Sequence, residues 1–179
     1  RDKVKEELGI DGEELEIISR AVFASGNLEI AKYVYISPDA ISSGIEALRA
    51  EVPILTDVKM VMAGIRWRKV ENYLDSASEL AKKLKITRTA AGIRLGLTSP
   101  KIVVIGNSPT AIVETLRVHR ETSVEIPLVV ATPPGFTNAV ESKEELINSG
   151  IPSIVVRGTY GGSSIAVSIV NELIRVASR

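Results

Sequence analysis

The 179-residue chain has no cysteine and a single histidine, His119. That excludes disulfide scaffolds, thiolate zinc sites, iron–sulfur clusters and thiol nucleophiles, and no metal site is expected. It leaves the redox compartment open, because a chain without disulfides can live on either side of a membrane. Aromatic residues make up only 4%, too few for base-stacking platforms or membrane-interface belts. Neither sign of charge dominates: Lys+Arg 22 stands against Asp+Glu 22. A general pull toward nucleic acid or anionic lipid is therefore missing. No apolar run approaches the roughly 20 residues that span a bilayer, and the stretch from Arg1 to Gly12 is charged, unlike the apolar region of a signal peptide. The expectation is a cytoplasmic protein with no nucleic-acid or membrane partner.

What is present is aliphatic: 45% hydrophobic residues and 25% charged, enough for one domain over residues 1–179. Leu15, Ile18, Ala21, Val22 and Ser25 share one face of a helix from about Gly12 to Ser25, and a short helix over Asn27–Lys32 follows, capped by Asn27. Six short β-branched runs then alternate with helical stretches: Tyr33–Ser37, Pro53–Thr56, Lys69–Leu74, Lys101–Ile105, Ile126–Ala131 and Pro152–Val156. Helix starts are marked by Ser37-Pro38, Asp57, Asp75-Ser76, Thr87, Ser108-Pro109, Asn138 and Gly162-Ser163. Repeated βα units predict an α/β fold, a three-layer α/β/α sandwich with a doubly wound, mostly parallel sheet of flavodoxin-like type.

Ligands of such sheets bind beyond the carboxyl ends of the strands. The residues expected there include Ser37, Asp57, Gly106 to Thr110, Thr132 to Asn138 and Arg157 to Ser164. The last three segments carry glycine and hydroxyl groups and open helices. Free N–H groups at a helix start, with glycine allowing close approach, suit an anionic oxygen. Each loop alone is ordinary turn chemistry, and it is their succession that points to a site. Nucleotide fingerprints are missing: no G-x-G-x-x-G follows the first strand and no G-x-x-x-x-G-K-[ST] occurs. His119 lies about ten residues into the helix beginning at Pro109, roughly 15 Å from the carboxyl edge. It reads as a helix C-terminal cation beside Arg120 rather than a catalytic base.

Three blocks resemble signatures of the precorrin-8X methylmutase family: Ile105-Gly106-Asn107-Ser108-Pro109-Thr110-Ala111, Gly135-Phe136-Thr137-Asn138-Ala139-Val140-Glu141-Ser142-Lys143, and Arg157-Gly158-Thr159-Tyr160-Gly161-Gly162-Ser163-Ser164. Ile36-Ser37-Pro38, Thr56-Asp57-Val58-Lys59-Met60 and Ile86-Thr87-Arg88-Thr89-Ala90-Ala91 agree in order and spacing. The resemblance covers nearly the whole chain. It implies a homodimeric isomerase of cobalamin (corrin) biosynthesis that moves a methyl group between adjacent ring carbons, C11 to C12, of precorrin-8X or its cobalt form. The migration is redox-neutral and implies no cofactor. On this resemblance Arg88 pairs with a substrate carboxylate or amide oxygen. Ser37, Asp57, Thr87, Asn107, Thr110, Gly135, Ser142, Gly161, Gly162 and Ser163 bind substrate or shape its pocket.

One departure stands out. The family carries a histidine in the first long helix, regarded as the acid of the mechanism, and this chain has Phe23 there. Phenylalanine has no exchangeable proton, although its ring can press on a flat macrocycle. Three readings follow: a methylmutase whose acid is relocated, for example to Tyr33 or Tyr160; a non-catalytic tetrapyrrole-binding relative; or an enzyme of another class acting on a phosphorylated small molecule. Phe23 could also simply pack within its amphipathic helix. A lesser departure is Asn72, in a strand position where the family often has an apolar or thiol residue.

Overall fold

The computed structural model describes residues 1–179. Its helices are α1 (Asp2–Leu8), α2 (Gly12–Ser25), α3 (Ala40–Arg49), α4 (Lys59–Gly64), α5 (Ser78–Leu84), α6 (Arg88–Gly96), α7 (Pro109–Thr122), α8 (Ala139–Asn148) and α9 (Ser163–Ala177). The strands are β1 (Val34–Ile36), β2 (Ile54–Thr56), β3 (Val70–Glu71), β4 (Ile102–Ile105), β5 (Val129–Ala131) and β6 (Ser153–Val156). Before β1, a 3-10 turn spans Leu28–Tyr33, and the Asn27 side chain accepts the Glu29 N–H as its cap.

Period-two alternation builds the layers. Ile102 and Val104 face the α2, α3, α4 and α9 side, and Val103 and Ile105 face the α6, α7 and α8 side. Every residue of β2, β4, β5 and β6 is buried, as expected of strands covered on both faces. The order is β1-β6-β5-β4-β2-β3. The parallel part reverses its direction of winding between β2 and β4, which places the ligand crevice of a doubly wound sheet there.

Two sequence expectations are corrected. β1 pairs antiparallel with β6, Val34 opposite Val156 and Ile36 opposite Ile154. Its exit therefore lies with the amino ends of the other strands. Ser37, expected at the ligand edge, is instead buried at the opposite edge, where its N–H donates to the Ser153 carbonyl and its Oγ accepts the Ser153 N–H. The third strand is cut to two residues because Asn72 takes over the backbone bonding. Its Oδ1 accepts the Leu74 N–H, and its Nδ2 donates to the Thr56 carbonyl and Oγ1. A side chain that bonds locally competes with the ladder in this way. The same bonds account for a polar residue at position 72.

Candidate functional site at the carboxyl edge

At the reversal point Asp57 is 2% exposed. It does not cap its own helix, whose N-cap is Val58. Its carboxylate accepts the N–H groups of Gly106 (3.0 Å), Asn107 (3.0 Å) and Ser108 (2.9 Å). Burial pushes the Asp57 carboxyl above the usual range, against N–H donors that favour its charged form. The N–H groups expected to greet a ligand anion after β4 are thus already occupied, and Asp57 is a brace beneath the site rather than a ligand contact.

Free donors remain at other helix starts. The α6 start presents Arg88 and Thr89 N–H groups beyond Thr87, whose Oγ1 caps the helix by accepting the Ala90 N–H at 3.2 Å. The α9 start presents Ser163 and Ser164 after two glycines at positive φ, Gly161 and Gly162. Gly161 is required by contact as well as by dihedral, since a Cβ there would collide with the Thr132 carbonyl oxygen. That carbonyl accepts the Gly162 N–H at 2.7 Å, while Thr132 Oγ1 donates back to the Gly162 carbonyl at 2.8 Å. Gly135, φ 119°, donates to the Thr159 carbonyl at 3.0 Å and ties the loop after β5 to the loop after β6.

Between α6 and α7, four hydroxyls form a chain. Thr87 and Thr110 stand 2.6 Å apart, Thr110 and Ser108 2.8 Å, and Ser108 and Thr89 2.6 Å. They pin the two helix starts together beside a cleft of about 520 Å³. Arg88 is exposed and its only contact is a long one, 3.5 Å, from Nη2 to the Leu74 carbonyl, so its guanidinium is available to a ligand.

Four of the five large exposed hydrophobic side chains surround this edge. Met60 follows β2, Phe136 follows β5 and Tyr160 follows β6. Phe23 comes from α2, which runs antiparallel to α9: Arg20 pairs with Glu172, and one turn on Phe23 shares a pocket with Ser168. Phe23 is 86% exposed, so it does not pack into its helix's apolar face. Tyr160 packs against Tyr33 with ring centroids 4.9 Å apart and ring planes tilted by 44°.

A family model described as precorrin-8X methylmutase matches residues 1–176. The chain belongs to the precorrin-8X methylmutase family. A cobalt-precorrin-8 methylmutase of Methanocaldococcus jannaschii is 42% identical over 186 aligned residues, covering 99% of this chain and 89% of that protein. A precorrin-8X methylmutase of Sinorhizobium sp is 33% identical, covering 91% and 83%. The solved precorrin-8X methyl mutase from Thermus thermophilus gives a TM-score of 0.85 at 28% identity, covering 99% of this chain and 94% of that one. A solved precorrin-8X methylmutase related protein also gives 0.85, at 37% identity and 93% of each chain. Methylmutases are isomerases, so the expected enzyme class stands with the family.

Within this methylmutase-family fold, Arg88, Thr87, Asn107, Thr110, Gly135, Gly161, Gly162 and Ser163 all lie at the carboxyl edge and are exposed or half-exposed. Ser142 does not join them. It is 2% exposed and its hydroxyl donates to the Ala139 carbonyl, inside the first turns of α8. The neighbouring Lys143 was not singled out in the sequence, yet it holds the last glycine turn. Fully buried, its Nζ donates to the Gly158 and Tyr160 carbonyls, each at 2.9 Å. The signal was only its place one residue after Ser142 in a helix behind a glycine loop. His119 sits in the last turn of α7 with its ring Nδ1 2.9 Å from the Val124 carbonyl, far from this edge.

Burial lowers the Lys143 pKa to about 8, below the ~10.4 of an unfolded lysine. The folded chain releases this proton first, so the unfolded state binds more protons between those values and stability rises with pH across them. Thermal melts between about pH 8 and 10 should show that rise in the wild type and not in Lys143→Met. Parallel profiles for the two would remove the buried amine as its source.

Proposed function

We propose that residues 1–179 act as one methylmutase domain that moves a methyl group from C11 to C12 of precorrin-8X or its cobalt form, working in the cytoplasm as a homodimer. One observation carries the reading: a single sheet edge combines unspent anion donors with exposed apolar side chains. A flat macrocycle with acidic arms needs both. Its face gains from apolar contact with Phe23, Met60 and Phe136. Its carboxylates gain from Arg88 and from the free N–H groups at the starts of α6 and α9. Exposed apolar residues on this edge also support a second subunit closing over the bound ring.

The migration neither oxidises nor reduces the substrate, so the chain's task is to hold the ring, exclude water and supply a proton donor. Phe23 supplies none. Among the O–H groups on this edge Tyr33 and Tyr160 stand out, because a phenol gives up a proton far more readily than the aliphatic hydroxyl of serine or threonine. They are the donors this chain offers, and a weaker acid than imidazolium predicts slow turnover.

The test is to incubate the purified protein with its precorrin substrate and follow the visible spectrum. Formation of the rearranged corrin supports the methylmutase reading. Binding without product would leave a tetrapyrrole-holding relative instead. Arg88→Ala should weaken product binding about tenfold, the equivalent of one charge-assisted hydrogen bond, about 1.4 kcal/mol. An unchanged absorbance titration would return Arg88 to a structural role.

A further inference from the structure

Where α2 crosses α9, a pocket of about 320 Å³ is lined by Arg20, Phe23, Arg66, Asn171, Glu172 and Arg175, with Ser168 on its wall. Its charges do not balance. Three guanidinium groups face one carboxylate, a surplus of two positive charges, although the whole chain carries none.

The carboxylate is fully engaged. Glu172 is 3% exposed and accepts from Arg175 Nε at 3.0 Å and Nη2 at 2.5 Å, with Arg20 Nε 3.3 Å away. Glu16, one turn before Arg20 on α2, is paired with Arg1 at 2.7 Å and reaches Arg175 only through the weakest of the charges acting on it, and neither acid pairs with Arg66. Arg66 has no acidic partner. Its backbone is nevertheless fixed, because Asn171 Oδ1 accepts the Arg66 N–H at 2.9 Å while Asn171 Nδ2 donates to the Gly64 carbonyl at 3.0 Å. The amide of one α9 residue thus clamps the end of α4 and presents an unpaired guanidinium at the pocket mouth, beside the exposed ring of Phe23.

We propose that this pocket is a second anion subsite, in which Arg66, backed by Arg20 and Arg175, takes a peripheral carboxylate of a ring whose face lies on Phe23. The inference rests on the tetrapyrrole reading above and deepens it. The α6 and α9 starts would hold one side of the ring, and this pocket would hold another. Fixing the ring at two separated points resists rotation in its plane, which a single anchor cannot do. Arg66 is then a specificity-determining residue that reads the presence of an acidic arm, and bidentate geometry favours carboxylate over a neutral amide.

The probe is uroporphyrin, a flat tetrapyrrole with a carboxylate-rich rim, titrated by visible absorbance at low and high salt. For Arg66→Gln we expect affinity to fall about tenfold at low salt with little change in melting temperature, and the deficit to shrink as salt rises. Arg66→Lys should recover part of the loss. Ser168→Asp, which places a carboxylate on the pocket wall without removing any existing contact, should weaken binding by a similar factor. If Arg66→Gln and Ser168→Asp bind as the wild type does while Arg88→Ala binds weakly, this subsite is overturned and the tetrapyrrole reading survives. Failure of the wild type to bind uroporphyrin at all would overturn both.

Discussion

Phe23→His is expected to raise methylmutase turnover by about 10²-fold or more, the scale of a well-placed general acid. The position accepts the change without structural cost. Phe23 is 86% exposed and holds no core contact together, and substitutions at such surface sites usually move stability by no more than about 0.5 kcal/mol. The substituted imidazole would share a pocket with Arg20, Arg66 and Arg175, with Glu172 as the one acid in its lining. Surplus cations disfavour the imidazolium and lower its pKa below the ordinary value of about 6.5. Only the protonated ring can give a proton, so the gain should be largest at mildly acidic pH and fade as pH rises through that lowered value. Stopped-flow absorbance across pH, on wild type and variant side by side, checks both parts. Equal rates with equal substrate affinity would mean that position 23 has no part in proton donation.

The second large effect concerns the brace beneath the site. Asp57→Ala should cost about 2–4 kcal/mol of stability, because three N–H groups lose a charged acceptor at once and water reaches only two of them with ease. For a chain of this length that corresponds to a fall in melting temperature of about 6–12 °C. Asp57→Asn should fall between the two, since its amide keeps one acceptor oxygen and turns a donor toward another donor. Urea unfolding reads the difference directly, with an unchanged slope expected if only stability has moved. A loss under about 0.5 kcal/mol would show that the turn after β4 keeps its shape unaided.

The layered architecture was readable because its cause is local. The unbroken apolar run Ile102–Ile105 and the apolar stripes of α2 and α9 are written in consecutive residues, and the six strands lie within the expected stretches. What escaped depends on which strands become neighbours. That β1 runs against β6 is a pairing between residues more than a hundred positions apart, and it sends Ser37 to the wrong edge for a ligand. Asp57 read as the cap of its own helix, the usual use of aspartate there. Only the adjacency of β2 and β4 shows that it serves the start of α7 instead. Ser142 and Lys143 are consecutive on α8 and both buried, but Ser142 spends its hydroxyl within its own helix while Lys143 reaches the next loop. Helical phase alone could not tell which of them the glycine turn would need. The exposure of Phe23 was equally out of reach, since a bulky aromatic beside an apolar stripe ordinarily packs against it.

The reversed first strand also determines how the reactive edge is assembled. Because β1 enters beside the carboxyl end of β6, where the Tyr33 carbonyl accepts the Arg157 N–H at 2.7 Å, the leading segment delivers Phe23 and Tyr33 to a ledge otherwise made by the βα units. The hydroxyls and glycine turns of the βα units and the rings of Phe23 and Tyr33 thus belong to separately encoded pieces of chain. A change in the leading piece can therefore alter the aromatic side of this edge while the turns and helix starts of the βα units keep their own hydrogen bonds.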